Sequence, residues 1–282
     1  MPLLKLIADS GSTKTDWCLL NGRNKTFFTT QGLSPYFFNE QQITEIINKE
    51  LKSKLGKIII QEIYFYGTGC SSEKHINIIR VALVNSFGKI KIFITHDLMA
   101  AARALCGEEK GIACILGTGS NSCYYNGKKI VKNSPGIGFI LGDEGSGAYL
   151  GKRIIQYYLY KTFDQELMEK FRVKFQTSSA DILQKVYKES LPNRFLASFT
   201  SFLSENRGHY MIENILEDCL NDFFFNHLYK YSESWSLPIH FVGGIAYTFS
   251  DVLKELCLSY ELTSGRILKA PIEGLIKYHA DK

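Results

Sequence analysis

One pattern occurs twice in this chain of 282 residues and limits its fold more than any other feature. An apolar segment runs into a loop of small residues, a second apolar segment ends at an Asn-Gly pair, and a third segment follows. The two copies are Leu3–Ala8, Trp17–Leu20 and Lys25–Thr30 with Asn21-Gly22, and Gly111–Leu116, Ser122–Tyr125 and Lys128–Lys132 with Asn126-Gly127. Asn-Gly between apolar segments is the strongest short-range sign of a β-hairpin, so each copy predicts three consecutive strands.

Strands and helices alternate after the first copy. Helices are predicted from an Asn39 cap to Gly56 and from Ser71 or Ser72 to Gly88, with strands at Ile63–Tyr66 and Lys89–Thr95. This alternation is typical of an α/β fold, and two copies in the same order indicate a duplicated unit. We therefore expect two α/β domains, at residues 1–105 and 106–267, the second with helical insertions. A C-terminal helix at 268–282 can return to the first domain.

The composition excludes several other classes of protein. The chain is 45% hydrophobic, which is enough for substantial cores, and its net charge of +5 comes from scattered Lys and Arg. Charge spread in this way does not indicate nucleic-acid binding. No apolar run approaches the ~20 residues needed to cross a bilayer. The seven cysteines form no C-x-x-C pair and the N-terminus carries no signal-peptide pattern, so we expect a cytoplasmic protein with reduced, buried thiols.

Three glycine-rich loops follow predicted strands, at residues 10–15, 117–121 and 243–246. Gly, Ser and Thr allow close approach of the backbone and present N–H groups and hydroxyls, which suits a phosphate. Asp9 precedes the first loop and is placed to hold a divalent cation beside that phosphate. The loops lack the frames of a P-loop and of a Rossmann dinucleotide site. For the first loop, a plain polar hairpin turn without a ligand remains the alternative. Lys14 is as compatible with a solvent-exposed surface residue as with a phosphate ligand.

Two further segments carry carboxylates. Asp97 stands between a predicted strand and an Ala-rich helix, where it is either the N-cap of that helix or a catalytic base. The segment Pro135–Gly147 has five glycines in thirteen residues around Asp143-Glu144. That composition is costly to order unless the backbone packs against a ligand. The alternative is that both acids stabilise the first turn of the following helix.

Four motifs stand in a fixed order along the chain: Asp9-Ser-Gly-Ser-Thr-Lys-Thr, Gly117-Thr-Gly-Ser-Asn, Gly142-Asp-Glu-Gly-Ser-Gly and Phe241-Val-Gly-Gly-Ile. In content and order they resemble the N-acetylglucosamine kinases and the related BadF/BadG-type ATPases of the sugar kinase, Hsp70 and actin superfamily. The resemblance covers residues 3 to about 265. It implies two ribonuclease-H-like domains, as in actin-like ATPases, that close on ATP across an interdomain cleft.

The resemblance also implies roles for individual residues. Asp9 would position Mg²⁺, and Asp97 would be the catalytic base. The residues that match nucleotide contacts are Asp9, Ser10, Gly11, Ser12, Thr13, Lys14, Gly117, Thr118, Gly119, Gly243 and Gly244. Those that match sugar contacts are Ser34, Asp97, Gly136, Ile137, Gly138 and Asp143. Because relatives often form dimers, a homodimer belongs to the same expectation.

Two residues in the implied sugar pocket depart from the family pattern. Ser34 stands where the family often has Asn, and Ile137 stands where many members have Trp. The expected activity is Mg²⁺-dependent phosphorylation by ATP of an amino sugar, N-acetylglucosamine or a related N-acetylated hexosamine. Two alternatives remain open. One is an ATPase that drives electron transfer in acyl-CoA reductases or dehydratases and holds an iron–sulfur cluster, and the other is a non-catalytic ATP-binding sensor.

Overall fold

A computed structural model describes residues 3–11 and 13–280 of the chain. These residues belong to two compact units, one formed by Met1–Glu108 with Ala270–Lys282 and the other by Glu109–Lys269. The boundaries expected from the sequence, after residues 105 and 267, differ from these by three residues or fewer (108 against 105, 269 against 267). The C-terminal segment therefore belongs to the first unit.

The first unit begins with three strands and then alternates helices with strands. Its elements up to the boundary are β1 (Leu4–Ser10), β2 (Lys14–Asn21), β3 (Asn24–Gln31), α1 (Glu40–Ile46), a π-helical turn (Ile47–Lys52), α2 (Ser53–Leu55), β4 (Glu62–Gly67), α3 (Glu73–Phe87), β5 (Lys91–His96) and α4 (Asp97–Cys106). Asn39 caps α1 in a reciprocal capping box with Gln42, and Ser72 caps α3 by accepting the His75 N–H. Both caps satisfy backbone N–H groups that a helix start leaves unpaired.

The second unit has the same opening and a large helical insertion. Its elements are β6 (Lys110–Leu116), β7 (Ser120–Asn126), β8 (Ile130–Ser134), α5 (Gly138–Leu141), α6 (Gly147–Leu159), α7 (Gln165–Phe175), α8 (Ser179–Tyr187), α9 (Pro192–Ser198), α10 (Ser201–Glu205), α11 (Tyr210–Asn226), 3₁₀ turns (Leu228–Lys230 and Ser232–Trp235), β9 (Ile239–Val242), α12 (Gly244–Thr248), α13 (Ser250–Ser259) and β10 (Ser264–Leu268). The helix α14 (Ile272–Ala280) then completes the first unit.

The two sheets have the same strand order. The first is β3-β2-β1-β4-β5 and the second, read in the same direction, is β8-β7-β6-β9-β10. In both, the first strand is antiparallel to the second and parallel to the fourth. Gly22 and Gly127 adopt positive φ values of 58° and 90° in the Asn-Gly turns, as such tight turns require. The predicted duplicated α/β unit is confirmed.

The parallel strands place their following loops at one edge of each sheet. In the first unit, β1, β4 and β5 are parallel neighbours, so the residues after Ser10, Gly67 and His96 share an edge. In the second unit, β6 and β9 are parallel, so the same holds for Gly117 and Gly243. Ligands of α/β sheets usually bind at the carboxyl ends of parallel strands. The structure thus puts the predicted loops where a ligand site is expected.

Helices cover both faces of the first sheet. Leu6 and Ala8 point into a core with α1 and α3, whereas Ile7 points into a second core with α4 and α14. This alternation is the two-residue period of a strand buried on both sides. On the α14 side, Lys5 Nζ donates to the His279 carbonyl at 2.9 Å and the Tyr66 hydroxyl lies 2.8 Å from His279 Nε2. These buried contacts bind the C-terminal helix to the first sheet.

Two expectations about the second unit were wrong in detail. The long helix predicted over Tyr210–Tyr231 ends at Asn226, because the chain turns there and the Tyr231 hydroxyl packs against β7 and β8. Phe223 and Phe224 are buried, as expected for a core, but Phe225 is 61% exposed. Strand β10 was not predicted, since an edge strand containing Gly265 and Arg266 has no apolar run to mark it.

All seven cysteines are buried and free, as predicted. Within residues 3–11 and 13–280, no helix combines the length and the apolar character needed to cross a membrane.

Candidate active site

Asp9 lies near the end of β1, beside Asp16 on β2 and Tyr66 on β4. Burial, together with the negative charges of Asp16 and Asp97, raises the pKa of its carboxyl to about 7, and Lys14 opposes this rise. A desolvated carboxylate among other acids favours a nearby cation. In the described part of the chain no three His, Cys, Asp or Glu side chains group as metal ligands. A single carboxylate fits Mg²⁺, which usually completes its coordination with water and substrate phosphates.

Asp97 is held by two hydrogen bonds. The Thr68 hydroxyl donates to Asp97 Oδ2 at 2.9 Å, and the Leu98 backbone N–H donates to Oδ1 at 2.9 Å. Helix α4 begins at Asp97 and its N-cap is His96, so the N-cap alternative for Asp97 is wrong. Each carboxylate oxygen has a second lone pair, so the group can still accept a proton from a bound hydroxyl. Sequence reasoning missed Thr68, although its Gly67-Thr68-Gly69 setting after a strand was a signal for it.

The first glycine-rich loop is stabilised by its own side chains. Ser10 is buried, and its Oγ lies 2.7 Å from the Thr15 hydroxyl and accepts the Leu33 N–H at 3.1 Å. That side chain is therefore engaged in holding the loop, and a nucleotide contact by Ser10 stays a prediction. Gly11 N–H donates to the Lys14 carbonyl at 2.9 Å, which closes the turn. The predicted contact Ser12 lies outside the described residues.

The exposed end of this loop carries the remaining predicted phosphate ligands. Thr13 and Lys14 are exposed, and Lys14 Nζ lies 2.7 Å from Asp16 Oδ2. An exposed ion pair of this kind contributes little to stability, about 0–1 kcal/mol. The protein would therefore lose little stability if Lys14 left Asp16 to contact a phosphate. Both sequence-based alternatives for Lys14, a surface residue and a phosphate ligand, stay open.

The second glycine-rich loop is fastened to the start of α6. Gly117 N–H donates to the Gly119 carbonyl at 3.0 Å, and the N–H groups of Gly147 and Ala148 donate to the carbonyls of Gly117 and Thr118 at 2.8 and 3.0 Å. A Cβ atom on Gly119 would stand 2.9 Å from Asp143 Oδ2. The structure thus places the predicted sugar ligand Asp143 directly against the predicted phosphate loop.

Asp143 has an unusual backbone conformation. Its φ is +57°, in the left-handed region that L-residues seldom adopt. Burial raises the pKa of its carboxyl, whereas hydrogen bonds from the backbone N–H groups of Ser120 and Gly138 lower it. Strain of this kind persists where surrounding contacts over-determine the residue, and it is enriched at functional sites.

A cavity of about 540 Å³ opens in the second unit beside these loops. Its volume is in the usual range of small-molecule sites. It is lined by the predicted residues Gly117, Thr118 and Gly244, and by Gly147, Ala197, Thr200, Ser201, Ser204, Ile245, Thr248 and Phe249. The sequence analysis missed the contribution of α9 and α10, because only the packing of α9 on α6, with Leu196 over Gly151, brings them there.

The segment between β8 and α6 is open to solvent. Gly136, Ile137 and Gly138 are exposed, and Ile137 is 54% exposed although apolar. In the first unit, by contrast, Ser34 is buried, its carbonyl accepts the N–H groups of Phe37 and Phe38, and its Oγ lies 3.4 Å from the Tyr36 N–H. Ser34 therefore forms a turn in the described structure, and its sugar contact stays a prediction.

We expect Gly243→Ala to abolish nucleotide binding and Gly244→Ala to leave the fold intact. Gly243 has a φ of +130°, and a Cβ there would overlap the Leu116 carbonyl, whereas nothing lies within 4 Å of a Cβ on Gly244. The strain should lower the free energy of unfolding of the Gly243 variant by on the order of 2 kcal/mol or more. Denaturant unfolding and titration with a fluorescent nucleotide measure both effects. Equal stability of the two variants would contradict this account of the loop.

The geometry defines a class of protein: two α/β units of one topology, with carboxylates at the sheet edge of one and a glycine-lined cavity in the other. Residues 8–170 match the model of the BadF/BadG/BcrA/BcrD ATPase family. The chain belongs to that family, and the resemblance inferred from its motifs is confirmed.

Two proteins similar to this chain are named as kinases of N-acetylated amino sugars. A candidate N-acetylglucosamine kinase from Porphyromonas gingivalis has a solved structure that superposes with a TM-score of 0.94, at 38% identity over 98% of this chain and 99% of that one. An N-acetylmuramic acid/N-acetylglucosamine kinase from Clostridium acetobutylicum is 28% identical over 155 residues. That match spans 50% of this chain and 49% of the relative, so the two are comparable over about half their lengths.

A third protein bears on the fold alone. A candidate N-acetylglucosamine kinase from Chromobacterium violaceum superposes with a TM-score of 0.77 at 15% identity, covering 98% of this chain and 99% of that one. Together these structures confirm the predicted fold class, the two-unit α/β fold of the actin-like sugar kinases.

Proposed function

We propose that this protein transfers the terminal phosphoryl group of ATP to a hydroxyl of an amino sugar, N-acetylglucosamine or a related N-acetylated hexosamine. The carrying observation is the group of Asp9, Thr68 and Asp97 at the carboxyl ends of three neighbouring parallel strands. The names of the Porphyromonas and Clostridium relatives support the acceptor class. Membership of an ATPase family supports ATP as the donor.

Asp97 is the proposed general base in this reaction. Phosphoryl transfer needs little covalent chemistry from a protein, which mainly positions the reactants and neutralises charge. A carboxylate held by Thr68 and Leu98 keeps a further lone pair on each oxygen, and in the proposed reaction one of these accepts the proton of the attacking hydroxyl. The proposed role of Asp97 is thus proton acceptance at the acceptor oxygen.

The residues around Asp9 and Gly117 fit the nucleotide and its cation. Asp9 would hold Mg²⁺, which supplies charge neutralisation on the phosphates when it is bound. In the second unit, the cavity beside Gly117, Thr118 and Gly244 has room for the nucleoside, and Thr200, Ser201 and Ser204 are among its lining residues. Cytoplasmic location, Mg²⁺ dependence and a homodimer are further parts of this proposal.

A screen for acceptor-dependent ADP release tests the proposed function. N-acetylglucosamine, N-acetylmuramic acid, N-acetylmannosamine and glucosamine are compared with glucose, each with ATP and Mg²⁺ and again with EDTA. We expect release that depends on an N-acetylated hexosamine and stops with EDTA. ATP hydrolysis without any sugar would favour the ATPase alternative, and no turnover with any acceptor would favour the sensor.

The iron–sulfur alternative gains no support from the described cysteines. A cluster needs thiolates that can reach it, and burial raises the pKa of Cys70 and Cys219 to about 12 and keeps these thiols protonated. Visible absorption by protein prepared anaerobically would revive that alternative.

A further inference from the structure

The proposed reaction does not explain one buried series of hydrogen-bonded side chains in the second unit, called here the polar chain. It joins Glu144, the neighbour of Asp143, to His227, which directly follows α11. His227 Nε2 lies 3.3 Å from Glu144 Oε2, and His227 Nδ1 lies 3.4 Å from the Ser122 hydroxyl. The Ser122 hydroxyl lies 2.9 Å from that of Tyr231, which accepts the Ser134 N–H at 2.6 Å. The chain therefore starts at Ser134 and ends at Glu144.

The four contacts are mutually consistent in one direction. The Ser134 N–H donates to the Tyr231 oxygen, so the Tyr231 hydroxyl can donate to Ser122, and the Ser122 hydroxyl can donate to His227 Nδ1. A neutral imidazole that accepts at Nδ1 carries its proton at Nε2, where it faces the Glu144 carboxylate. Burial lowers the pKa of His227, which favours this neutral form, whereas Glu144 raises it. Each of the four contacts thus has one donor and one acceptor.

The two ends of the polar chain, Ser134 and Glu144, lie on either side of the loop that contains the predicted sugar contacts. Ser134 ends β8 immediately before Pro135, and Glu144 immediately follows the strained Asp143. Between them, Phe139 packs against the core of the second unit, but Ile140 and Leu141 are 74% and 75% exposed, so burial alone does little to define the shape of the loop. The imidazole itself is rigid, because its ring stacks on Phe223 at 4.6 Å and its side chain is 5% exposed.

We propose that His227 is a positioning residue that, through Glu144, holds Asp143 and the loop between Ser134 and Ser146 in the conformation that binds the acceptor. The inference rests on the proposed function for the identity of the ligand, but not for the anchoring of the loop. Tyr231 holds the other end of the same loop through Ser134. Within the described residues, neither His227 nor Tyr231 is hydrogen-bonded to a residue predicted to bind the sugar, so both act through the loop.

The key variant is His227→Phe, which keeps the ring on Phe223 and removes both polar contacts. The chain offers a matched control at the other end of α11, where His209 Nε2 lies 2.9 Å from Asp164 Oδ2. His209→Phe removes the same kind of His–carboxylate pair far along the sequence from the loop. His227→Gln is the conservative variant, because its amide N–H can still donate to Glu144.

Amide hydrogen exchange tests the anchoring without any substrate. We expect faster exchange over residues 134–146 in His227→Phe and in Tyr231→Phe, no change there in His209→Phe, and partial recovery in His227→Gln. Unchanged exchange of this segment in both His227→Phe and Tyr231→Phe would overturn the proposal, whatever the protein phosphorylates. Failure of one variant to fold leaves the other as the test.

Kinetics test the consequence for the acceptor. Because both hydrogen bonds of His227 are long, we expect the acceptor KM of His227→Phe to rise roughly five- to ten-fold, with the KM for ATP within about two-fold of the wild type. In a Glu144→Ala background, which removes the acceptor of the His227 Nε2–H, His227→Phe should have no further effect on the acceptor KM, since it acts through Glu144. Faster exchange with an unchanged acceptor KM would overturn the role in acceptor binding. A wild-type protein without sugar kinase activity would overturn the proposed function, while the exchange result would still decide the anchoring.

Discussion

Asp97→Asn is expected to lower kcat by ~10²–10⁴ while leaving the binding of both substrates nearly unchanged, because the amide cannot accept the proton of the attacking hydroxyl. The amide keeps the size of the carboxylate and can still pair with the Thr68 hydroxyl and the Leu98 N–H. The fold should therefore survive. Steady-state kinetics of ADP release with the acceptor found in the screen measure the loss, and equilibrium titrations of nucleotide and sugar measure binding.

A matched control for Asp97→Asn is Glu62→Gln in the same unit. Glu62 begins β4, at the opposite edge of the sheet from Thr68, and pairs with Lys91 at 2.7 Å. Its replacement makes the same change in net charge without touching the carboxyl-end loops, so kcat should stay within about two-fold of the wild type. Retention of full activity by Asp97→Asn would rule out Asp97 as the base, and an equal loss in Glu62→Gln would point to charge alone.

Asp9→Asn is expected to stabilise the metal-free protein at pH 8 and to remove its Mg²⁺-dependent activity. The pKa of Asp9 is raised from 3.8 to about 7 by burial and by neighbouring acids, so the folded state favours the protonated form. The stability contributed by that protonated form is complete below pH 3.8 and is lost as the pH rises through about 7. Above that pH the ionised carboxylate destabilises the fold by roughly 2–4 kcal/mol, a range that allows for its partial exposure to solvent.

Denaturant unfolding at two pH values, in buffer with EDTA, measures this effect. At pH 8 Asp9→Asn should be the more stable protein, and at pH 3 the difference from the wild type should nearly vanish, because pH 3 lies below both the unfolded-state pKa of 3.8 and the folded-state pKa of about 7. Asp16→Asn is the comparison variant: it keeps the Asp9 carboxylate and removes only one of the charges that oppose its ionisation, so it should stabilise the protein less than Asp9→Asn. An Asp9→Asn protein less stable than the wild type at pH 8 would contradict the account. Addition of Mg²⁺ and ATP should stabilise the wild type and not the variant.

The sequence predicted most of the first unit because its signals are local. The Asn39 and Ser72 caps, the Asn21-Gly22 turn and the apolar segments each act within a few residues, and each predicted an element that the structure contains. The signals weaken where packing overrides local preference. Helix α11 stops at Asn226 because Tyr231 is bonded to β7 and β8, and β10 exists only because β9 is beside it.

The candidate site divides in the same way. The loops after β1, β6 and β9 were predictable, because glycines at strand ends indicate that the backbone comes close to a ligand. The sequence also pointed to Asp9, Asp97 and Asp143. It did not show that the Ser10 and Ser34 side chains are buried, or that residues of α9 and α10 line the cavity. Those facts depend on segments far apart in the chain.

By itself the sequence determined the duplicated strand order and the positions of Asp9, Asp97 and Asp143 along it. Strand period, hairpin turns and helix caps depend on residues that are close together in the sequence. Only the tertiary structure decided which groups control those acids. The Thr68 hydroxyl on Asp97, the Gly119 backbone against Asp143 and the His227 ring beside Glu144 join residues 29, 24 and 83 positions apart (97 − 68, 143 − 119, 227 − 144). Such contacts form only when the sheet and its helices pack, because no local signal specifies a partner at that separation.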